Sequence, residues 1–326
     1  MTVGLIGLGN MGSAIANVIA SNGHHVLGWE HDSRVVEEIN QKHTNTPFLP
    51  DIRLNSNLEA TGDLKRVFET CPIIFVAIPS VFFQSTLKPF SNETKGKVFV
   101  NLTKGIDRET LLTSFQMLRL LFPGNEYVML SGPSIANEFS RRMPTLVMLA
   151  GESKNSLLQI ARILENDYFR VRFSSDSVGV EWGGILKNIY AIGLGIFDGL
   201  AIDSVNFRSS YLTVALEEIS QIGLVLGAKK ETFLYLAGMG DLLATSLSQH
   251  SHNRRMGEFL AQGLPLKEIE QKMGVLPEGF NTLKITLYLA EKYHCSMPLA
   301  KGLWDVIYGR QRAATFVQMF IKDFVE

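Results

Sequence analysis

The chain changes its hydrophobic rhythm partway along. In the first half, short runs rich in β-branched and aromatic residues alternate with longer stretches of helical period. Residues 3–6, 25–29, 73–78, 98–102, 127–130, 146–149 and 169–173 predict strands, and several are continuously apolar, as in a sheet covered on both faces. Segments such as 11–22 and 153–166 predict helices between them, which makes a βαβ pattern. After about residue 175 the strand signals stop, and helical patterns follow at 178–199, 205–226, 229–238, 252–262, 265–273, 278–293 and 298–308. The expectation is an α/β domain at residues 1–175, then an all-α substrate or catalytic domain at 176–326, with a cleft between them.

One helical run carries an anomaly. In E-W-G-G-I-L-K-N-I-Y-A-I-G-L-G-I-F, residues 181–197, Ile185, Ile189, Ile192 and Ile196 form one stripe while Leu186, Tyr190, Ala191 and Leu194 cover much of the rest. Such a helix is mostly buried, yet it holds Lys187 and Asn188 side by side. A lysine there either snorkels its ammonium to water or sits desolvated, with a lowered pKa and a task.

Composition narrows the classes. At 326 residues, 46% of them hydrophobic, the chain is long enough for about two domains and is not disordered. With 31 basic and 32 acidic residues the net charge is −1, so no long-range field gathers nucleic acid or an anionic membrane, and an anionic ligand needs a local site. Cys71 and Cys295 form no disulfide or metal framework; both read as core thiols in a reducing, cytoplasmic setting. The amino terminus has no basic n-region, and the longest apolar run, 189–197, is too short to span a bilayer.

Gly7-Leu8-Gly9-Asn10-Met11-Gly12 follows the first strand and opens a helix. That order suits a dinucleotide, because glycines allow the tight turn and the close approach of a pyrophosphate, and a helix N-terminus favours its charge. The first domain therefore reads as a Rossmann-type, NAD(P)-binding one. The second strand ends at Glu30, where an acidic side chain can hold the adenosine ribose and repel a 2′-phosphate, which favours NAD; Arg34 could instead pair with that phosphate. A solvated polar turn is the alternative for either residue.

Further motifs sit at strand ends: Ile78-Pro79-Ser80, Asn101-Leu102-Thr103-Lys104-Gly105-Ile106, and Ser131-Gly132-Pro133-Ser134-Ile135-Ala136-Asn137-Glu138. With the run around Lys187 and with Gly238-Met239-Gly240-Asp241-Leu242-Leu243-Ala244-Thr245, the set resembles bacterial-type NAD(P)-dependent glycerol-3-phosphate dehydrogenase from Val3 to about Tyr308. The resemblance implies interconversion of dihydroxyacetone phosphate and sn-glycerol 3-phosphate, the supply of a glycerophospholipid precursor. It implies Lys187 as proton donor and acceptor, Asp241 as its partner with Thr245 nearby, and Lys104 as a second lysine near cofactor and substrate. Gly132, Ser134, Asn188, Ser251, His252, Asn253 and Arg254 would bind the substrate. Gly7, Gly9, Asn10, Met11, Gly12, Glu30, His31, Lys104, Ala136, Leu276 and Glu278 would bind the cofactor; no metal is implied. Plainer readings stand beside these: Asp241 as a helix N-cap, Thr245 as a hydroxyl bonded to its own helix, Lys104 as an exposed turn residue and Ser134 as a helix start.

The sequence departs from the family where phosphate is recognised. Ser251-His252-Asn253 aligns with Ser-Arg-Asn, so an arginine fork is replaced by an imidazole. Leu212-Thr213-Val214-Ala215 lacks the usual Thr-Arg-Gly, and Trp182 replaces a leucine. Phosphate affinity should fall unless Arg254 or Arg255 turns inward; Arg208 is another remaining cation. Either the anion site is rewired, or a paralogue acts on a related hydroxy or oxo substrate, or the chain is a non-catalytic dinucleotide sensor. The apolar helical half suits a homodimer.

Overall fold

The alternating segments of the first half build one eight-stranded sheet in a computed structural model of the chain, which describes residues 1–91, 94–248 and 251–323. The strands are β1 (Thr2–Ile6), β2 (His25–Trp29), β3 (Leu58–Thr61), β4 (Ile73–Val76), β5 (Val98–Asn101), β6 (Glu126–Ser131), β7 (Thr145–Gly151) and β8 (Phe169–Ser174), in the order β3-β2-β1-β4-β5-β6-β7-β8. Strands β1 to β6 pair in parallel, so their carboxyl ends share one edge, and the strand order reverses between β1 and β4. That reversal opens a crevice at the carboxyl edge, where ligands of such sheets bind.

Both faces of the sheet are covered, as the continuous apolar strands require. Along β4, Ile73 and Phe75 face the core that holds Ala14, Ile15 and Ile19 of the Asn10–Ser21 helix. Ile74 and Val76 face the opposite core, where Phe68, Phe99 and Phe122 stack with ring centroids 4.7 to 6.4 Å apart.

The structure corrects several sequence expectations. Strand β3 was missed because it has only four residues, Leu-Glu-Ala-Thr, too few to show a period. Strand β7 runs antiparallel to β6. The 73–78 strand stops at Val76, and the 229–238 helix divides into Lys230–Phe233 and a π-helical turn Leu236–Gly240, followed by a further helix Asp241–Leu247. Cys71 is buried as expected, but Cys295 is only half-buried.

The chain separates into two units, Met1–Glu181 and Trp182–Glu326, with the division inside the Ser177–Gly199 helix. Among its described residues the second unit has helices and no strands, with Val205–Val225, His252–Ala261, Leu266–Met273, Glu278–Lys292, Pro298–Ile307 and Ala313–Asp323 completing it. From Gly179 to Phe197 every residue of the central helix is buried except Lys187, which is half-buried. Among the described residues, no helix is long and apolar enough to cross a membrane.

Each unit also buries a glutamate. In the first, Glu181 accepts hydrogen bonds from the Thr113 hydroxyl (2.6 Å) and the Phe115 amide (2.9 Å), fastening the central helix to the start of the Ser114–Leu121 helix. In the second, Glu218 accepts from the Tyr190 hydroxyl (2.8 Å) and from the amides of Leu299 (2.6 Å) and Ala300 (3.1 Å), capping the Pro298–Ile307 helix.

Burial pushes both carboxyls up to about 7 from the ordinary 4.5, against the opposing pull of their hydrogen-bond donors. The native chain therefore holds two protons that the unfolded chain releases between about pH 4.5 and 7. Their stabilising contribution is complete below pH 4.5 and is lost as pH rises through 7, each ionisation costing about 3 kcal/mol. Melting temperature measured from pH 5 to 8 should thus carry a downward component that Glu181→Gln and Glu218→Gln each reduce. An unchanged slope in both variants would refute this account.

Candidate active site

Two clusters of the expected residues form, one in each unit. In the first, Gly7 takes φ +96°, a left-handed conformation that glycine adopts without strain, and a side chain there would meet Ile78 and the Ala77 carbonyl. Gly9 is different, because a Cβ there would meet nothing within 4 Å. The chain's own packing does not require that glycine; the space above it does fit the backbone approach of a pyrophosphate. The Asn10–Ser21 helix begins at this point with no side-chain cap and no acidic residue in its first turn, so its leading amides face outward unpaid by the chain. These features fit a dinucleotide.

Polar contacts hold the loop. The Asn45 amide donates to the Leu8 carbonyl (2.7 Å) and to Ser13 Oγ (2.8 Å), and Asn10 Nδ2 donates to the Phe48 carbonyl (2.6 Å) and to Asn137 Oδ1 (2.9 Å). Glu30, 4% exposed, turns into the loop instead of outward: its oxygens accept from the amides of Leu8 (3.1 Å), His31 (2.8 Å) and Asp32 (3.2 Å), and His31 Nδ1 lies 2.5 Å away. Arg34 is bound to Asp32, with Nη2 2.7 Å from the carboxylate, and these bonds hold the Asp32 carboxyl down at about 2. Met11 is half-buried beside the loop.

Lys104 follows β5, half-buried and with interactions of its own. After β6, Gly132 is buried with φ +98°, and Ser134 Oγ donates to its carbonyl (2.9 Å). Ala136 is buried at the start of the Ala136–Phe139 helix.

In the second unit Lys187 Nζ donates to Asp241 Oδ1 across a short contact, with the side chains 11% and 1% exposed. The lysine neither snorkels freely nor stands alone. Packing explains how the pair forms, since glycines of the central helix let other backbone segments lie directly on it. Gly183, one turn before Lys187, lies against the backbone of Ala237 and Gly238, which brings the turn ahead of Asp241 close. Asp241 is the first residue of its helix, after the Gly240 cap, where a carboxylate also suits the helix dipole. Thr245 donates its hydroxyl to the Asp241 carbonyl (2.8 Å), within its own helix.

A second crossing sets the asparagines. Gly195 lies against the backbone of Arg254, and Gly257 against that of Ile192 and Ile196, so the central helix and the His252–Ala261 helix touch main chain to main chain. Asn253 Nδ2 then reaches Asn188 Oδ1 (3.1 Å), while its Oδ1 accepts from the Gly279 amide (2.9 Å). Glu278 begins that third helix, with Leu276 half-buried before it. Ser251 caps the His252–Ala261 helix through the Arg254 amide, and His252 is exposed in its first turn.

The remaining arginines are otherwise engaged. Arg254 binds Asp198 through Nε (2.7 Å) and Nη2 (2.5 Å), and the carbonyls of Ser246 (2.9 Å) and Ser248 (2.6 Å) through Nη1. Arg208 binds the other Asp198 oxygen (2.7 Å), and Arg255 lies over the Phe259 ring at 5.6 Å. Sequence reasoning missed Asp198, whose partners lie 10 and 56 residues away with no motif linking them. Among the described residues no His/Cys/Asp/Glu group could hold a metal.

Comparison with known proteins identifies the family. Residues 2–157 match the family described as NAD-dependent glycerol-3-phosphate dehydrogenase N-terminus, and residues 176–318 match its C-terminus. The chain is 38% identical over 308 residues to glycerol-3-phosphate dehydrogenase [NAD(P)+] of Lysinibacillus sphaericus, covering 93% of this chain and 91% of the relative. It is 35% identical over 322 residues to the Bacillus subtilis enzyme of the same name, covering 97% and 92%. The crystal structure of glycerol-3-phosphate dehydrogenase from Coxiella burnetii superposes with a TM-score of 0.91 at 30% identity, covering 98% of each chain.

The Asp198 cluster makes a direct prediction. Asp198→Ala leaves two partly buried guanidinium groups unpaired, which should lower stability by about 3 kcal/mol and release the segment before Ser251. Chemical denaturation measures the first effect, and limited proteolysis near residue 248 the second. A loss well under 1 kcal/mol would place the arginines' anchoring elsewhere.

Proposed function

The chain belongs to the NAD-dependent glycerol-3-phosphate dehydrogenase family, and we infer that it is a working member. The reaction is reversible hydride transfer between NAD(P)H and dihydroxyacetone phosphate, giving sn-glycerol 3-phosphate. The observation that carries this reading is the buried Lys187–Asp241 pair. Reducing a ketone requires a proton at the oxygen as it becomes an alkoxide, and an ammonium both stabilises that charge and donates the proton. Asp241 balances the ammonium and fixes its direction, while Thr245 supports the turn that holds Asp241. When bound, the nicotinamide supplies the hydride.

The first unit's residues hold the dinucleotide: Gly7, Gly9 and Gly12 shape its cradle, with Asn10, Met11, His31 and Ala136 around it. Leu276 and Glu278 are assigned to the same cofactor by motif, and Lys104, Gly132 and Ser134 to the substrate. Glu30 ties the ribose end of β2 to the cradle, and its carboxylate disfavours a 2′-phosphate, so we assign NADH the higher kcat/KM.

Phosphate recognition falls to the start of the His252–Ala261 helix. Ser251 caps the Arg254 amide, which leaves the first-turn amides of His252 and Asn253, together with the His252 imidazole, to receive an oxyanion. Asn188 and Asn253 brace this turn through their mutual bond. Two free thiols suit a reducing cytoplasm, and the apolar helical half suits a homodimer, which sedimentation would test.

Oxidation of NADH and NADPH with dihydroxyacetone phosphate, unphosphorylated dihydroxyacetone and a panel of 2-oxo acids tests the reaction; turnover on an oxo acid alone would overturn it. Lys187→Ala should reduce kcat by roughly 10³-fold while leaving NADH binding nearly unchanged. A near-normal rate would remove Lys187 from the chemistry. His252→Arg should lower KM for the triose phosphate, since a fork and a permanent charge replace one imidazole; an unchanged KM would mean that another group already holds the phosphate.

A further inference from the structure

We propose that Asp32 is the residue that sets the choice between the two dinucleotides: its carboxylate occupies the donors that a 2′-phosphate would need, and so disfavours NADPH. The proposal deepens the assignment of NADH and rests on the dinucleotide reading of the first unit. Glu30 leaves this task open. Its oxygens already accept the amides of Leu8, His31 and Asp32, so it is turned into the loop, and the next carboxylate along the chain is that of Asp32.

After β2 the chain enters the Ser33–Lys42 helix, at the strand end where a dinucleotide fold meets the adenosine ribose. A helix start beside an arginine has the makings of a phosphate receptor, with amide donors and the helix dipole on one side and a guanidinium fork on the other. Here the chain fills both itself. Asp32 caps the helix: Oδ1 accepts the Arg34 amide (2.9 Å) and Arg34 Nε (3.1 Å), and Oδ2 accepts Arg34 Nη2 (2.7 Å). One carboxylate thus takes a backbone amide and one edge of the fork, the bonds that phosphate oxygens would otherwise make. The same bonds hold the Asp32 carboxyl down at about 2, so it is ionised at neutral pH.

The ion pair alone would not exclude a phosphate, because Arg34 is 89% exposed and an exposed pair is weak. The cap is what fixes the charge. Arg34 can swing away, but an aspartate that leaves the N-cap position uncaps its helix, so the carboxylate stays on the amide. A 2′-phosphate reaching for the free edge of Arg34 would therefore lie beside a negative charge that cannot retreat. The 2′-hydroxyl of NADH meets no such penalty, since it can donate to a carboxylate. The neighbouring imidazole is engaged too, with His31 Nδ1 2.5 Å from Glu30 Oε1.

The test measures dissociation constants of NADH and NADPH on the full-length chain by nucleotide fluorescence, with no substrate present. Asp32→Ser keeps a hydroxyl able to cap the helix and removes the charge. In this variant NADPH should bind about tenfold tighter or more, as hydrogen bonds to a charged group become available to it. NADH should change by less than about threefold, the scale of an exposed ion pair. Arg34→Ala alone should leave NADPH affinity near the wild-type value, because one edge of the fork is already engaged and the other is shielded by the carboxylate. In the Asp32→Ser background the same change should remove most of the gain. Unchanged NADPH affinity in Asp32→Ser, an equal gain for both nucleotides, or a gain that survives the loss of Arg34 would each overturn the proposal. If Asp32→Ser lowers the melting temperature, Asp32→Asn, which keeps both shape and cap, carries the same expectations. Binding is read without turnover, so the outcome is separable from the role of Lys187. The wild-type ratio of the two constants tests the NADH assignment, and only the change in that ratio on substitution tests Asp32.

Discussion

The buried pair of Lys187 and Asp241 is the constraint around which the helical unit is arranged. An ammonium inside the buried stretch of the central helix is costly unless a carboxylate meets it, and a carboxylate with 1% exposure is costly without the ammonium. Neither residue can bring the other close; packing must. Gly183 supplies one contact by letting the Ala237–Gly238 backbone lie directly on the central helix. The π-helical turn Leu236–Gly240 supplies the other, by stopping one helix and starting the next at Asp241. Glycines that look like weaknesses in an apolar helix are thus the points where main chains touch, and their contacts place the charges.

Polar groups in the first unit follow a related logic. The amides at the start of the Asn10–Ser21 helix stay open because no side chain caps them, while the carbonyl of Leu8 and the amide of Leu8 are both secured, by Asn45 and Glu30. The cradle is therefore rigid in its own bonds and unsatisfied only toward a ligand. Pre-organisation of this kind lowers the ordering that binding would otherwise require. Glu30 contributes by tying the end of β2 to the loop, since its oxygens are already occupied by the amides of Leu8, His31 and Asp32.

Much of this was legible in the sequence. Continuous apolar strands, the glycine loop between strand and helix, and a lysine in a buried helical run each have a periodicity or spacing that physics makes specific. What escaped notice lacked such a signal. Strand β3 is four residues with a glutamate among them, and its existence depends on β2 being available to pair with it. The reversal of β7 relative to β6 leaves no mark on the strands themselves, which read equally well in either direction. The break at Leu236–Gly240 falls where Gly183 lies against the backbone of Ala237 and Gly238, a contact that the helical pattern read over 229–238 does not announce.

The arginines show the limit most plainly. Arg208 and Arg254 stand near the motif that lacks its usual arginine, so sequence proximity offers them as replacements. Asp198 takes both, using one oxygen for each, and two carbonyls before Ser251 take most of what remains of Arg254. A guanidinium with that many short bonds would have to surrender them before it could turn to a ligand, each bond to a charged group being worth about 1.5 to 3 kcal/mol. The lost fork at His252 is thus not restored by a neighbouring one. Backbone amides at a helix start can receive an oxyanion without any of the missing charge, and they are fixed in place by the Gly195 and Gly257 crossing. How closely these two helices pack therefore sets where the first-turn amides of the His252–Ala261 helix stand.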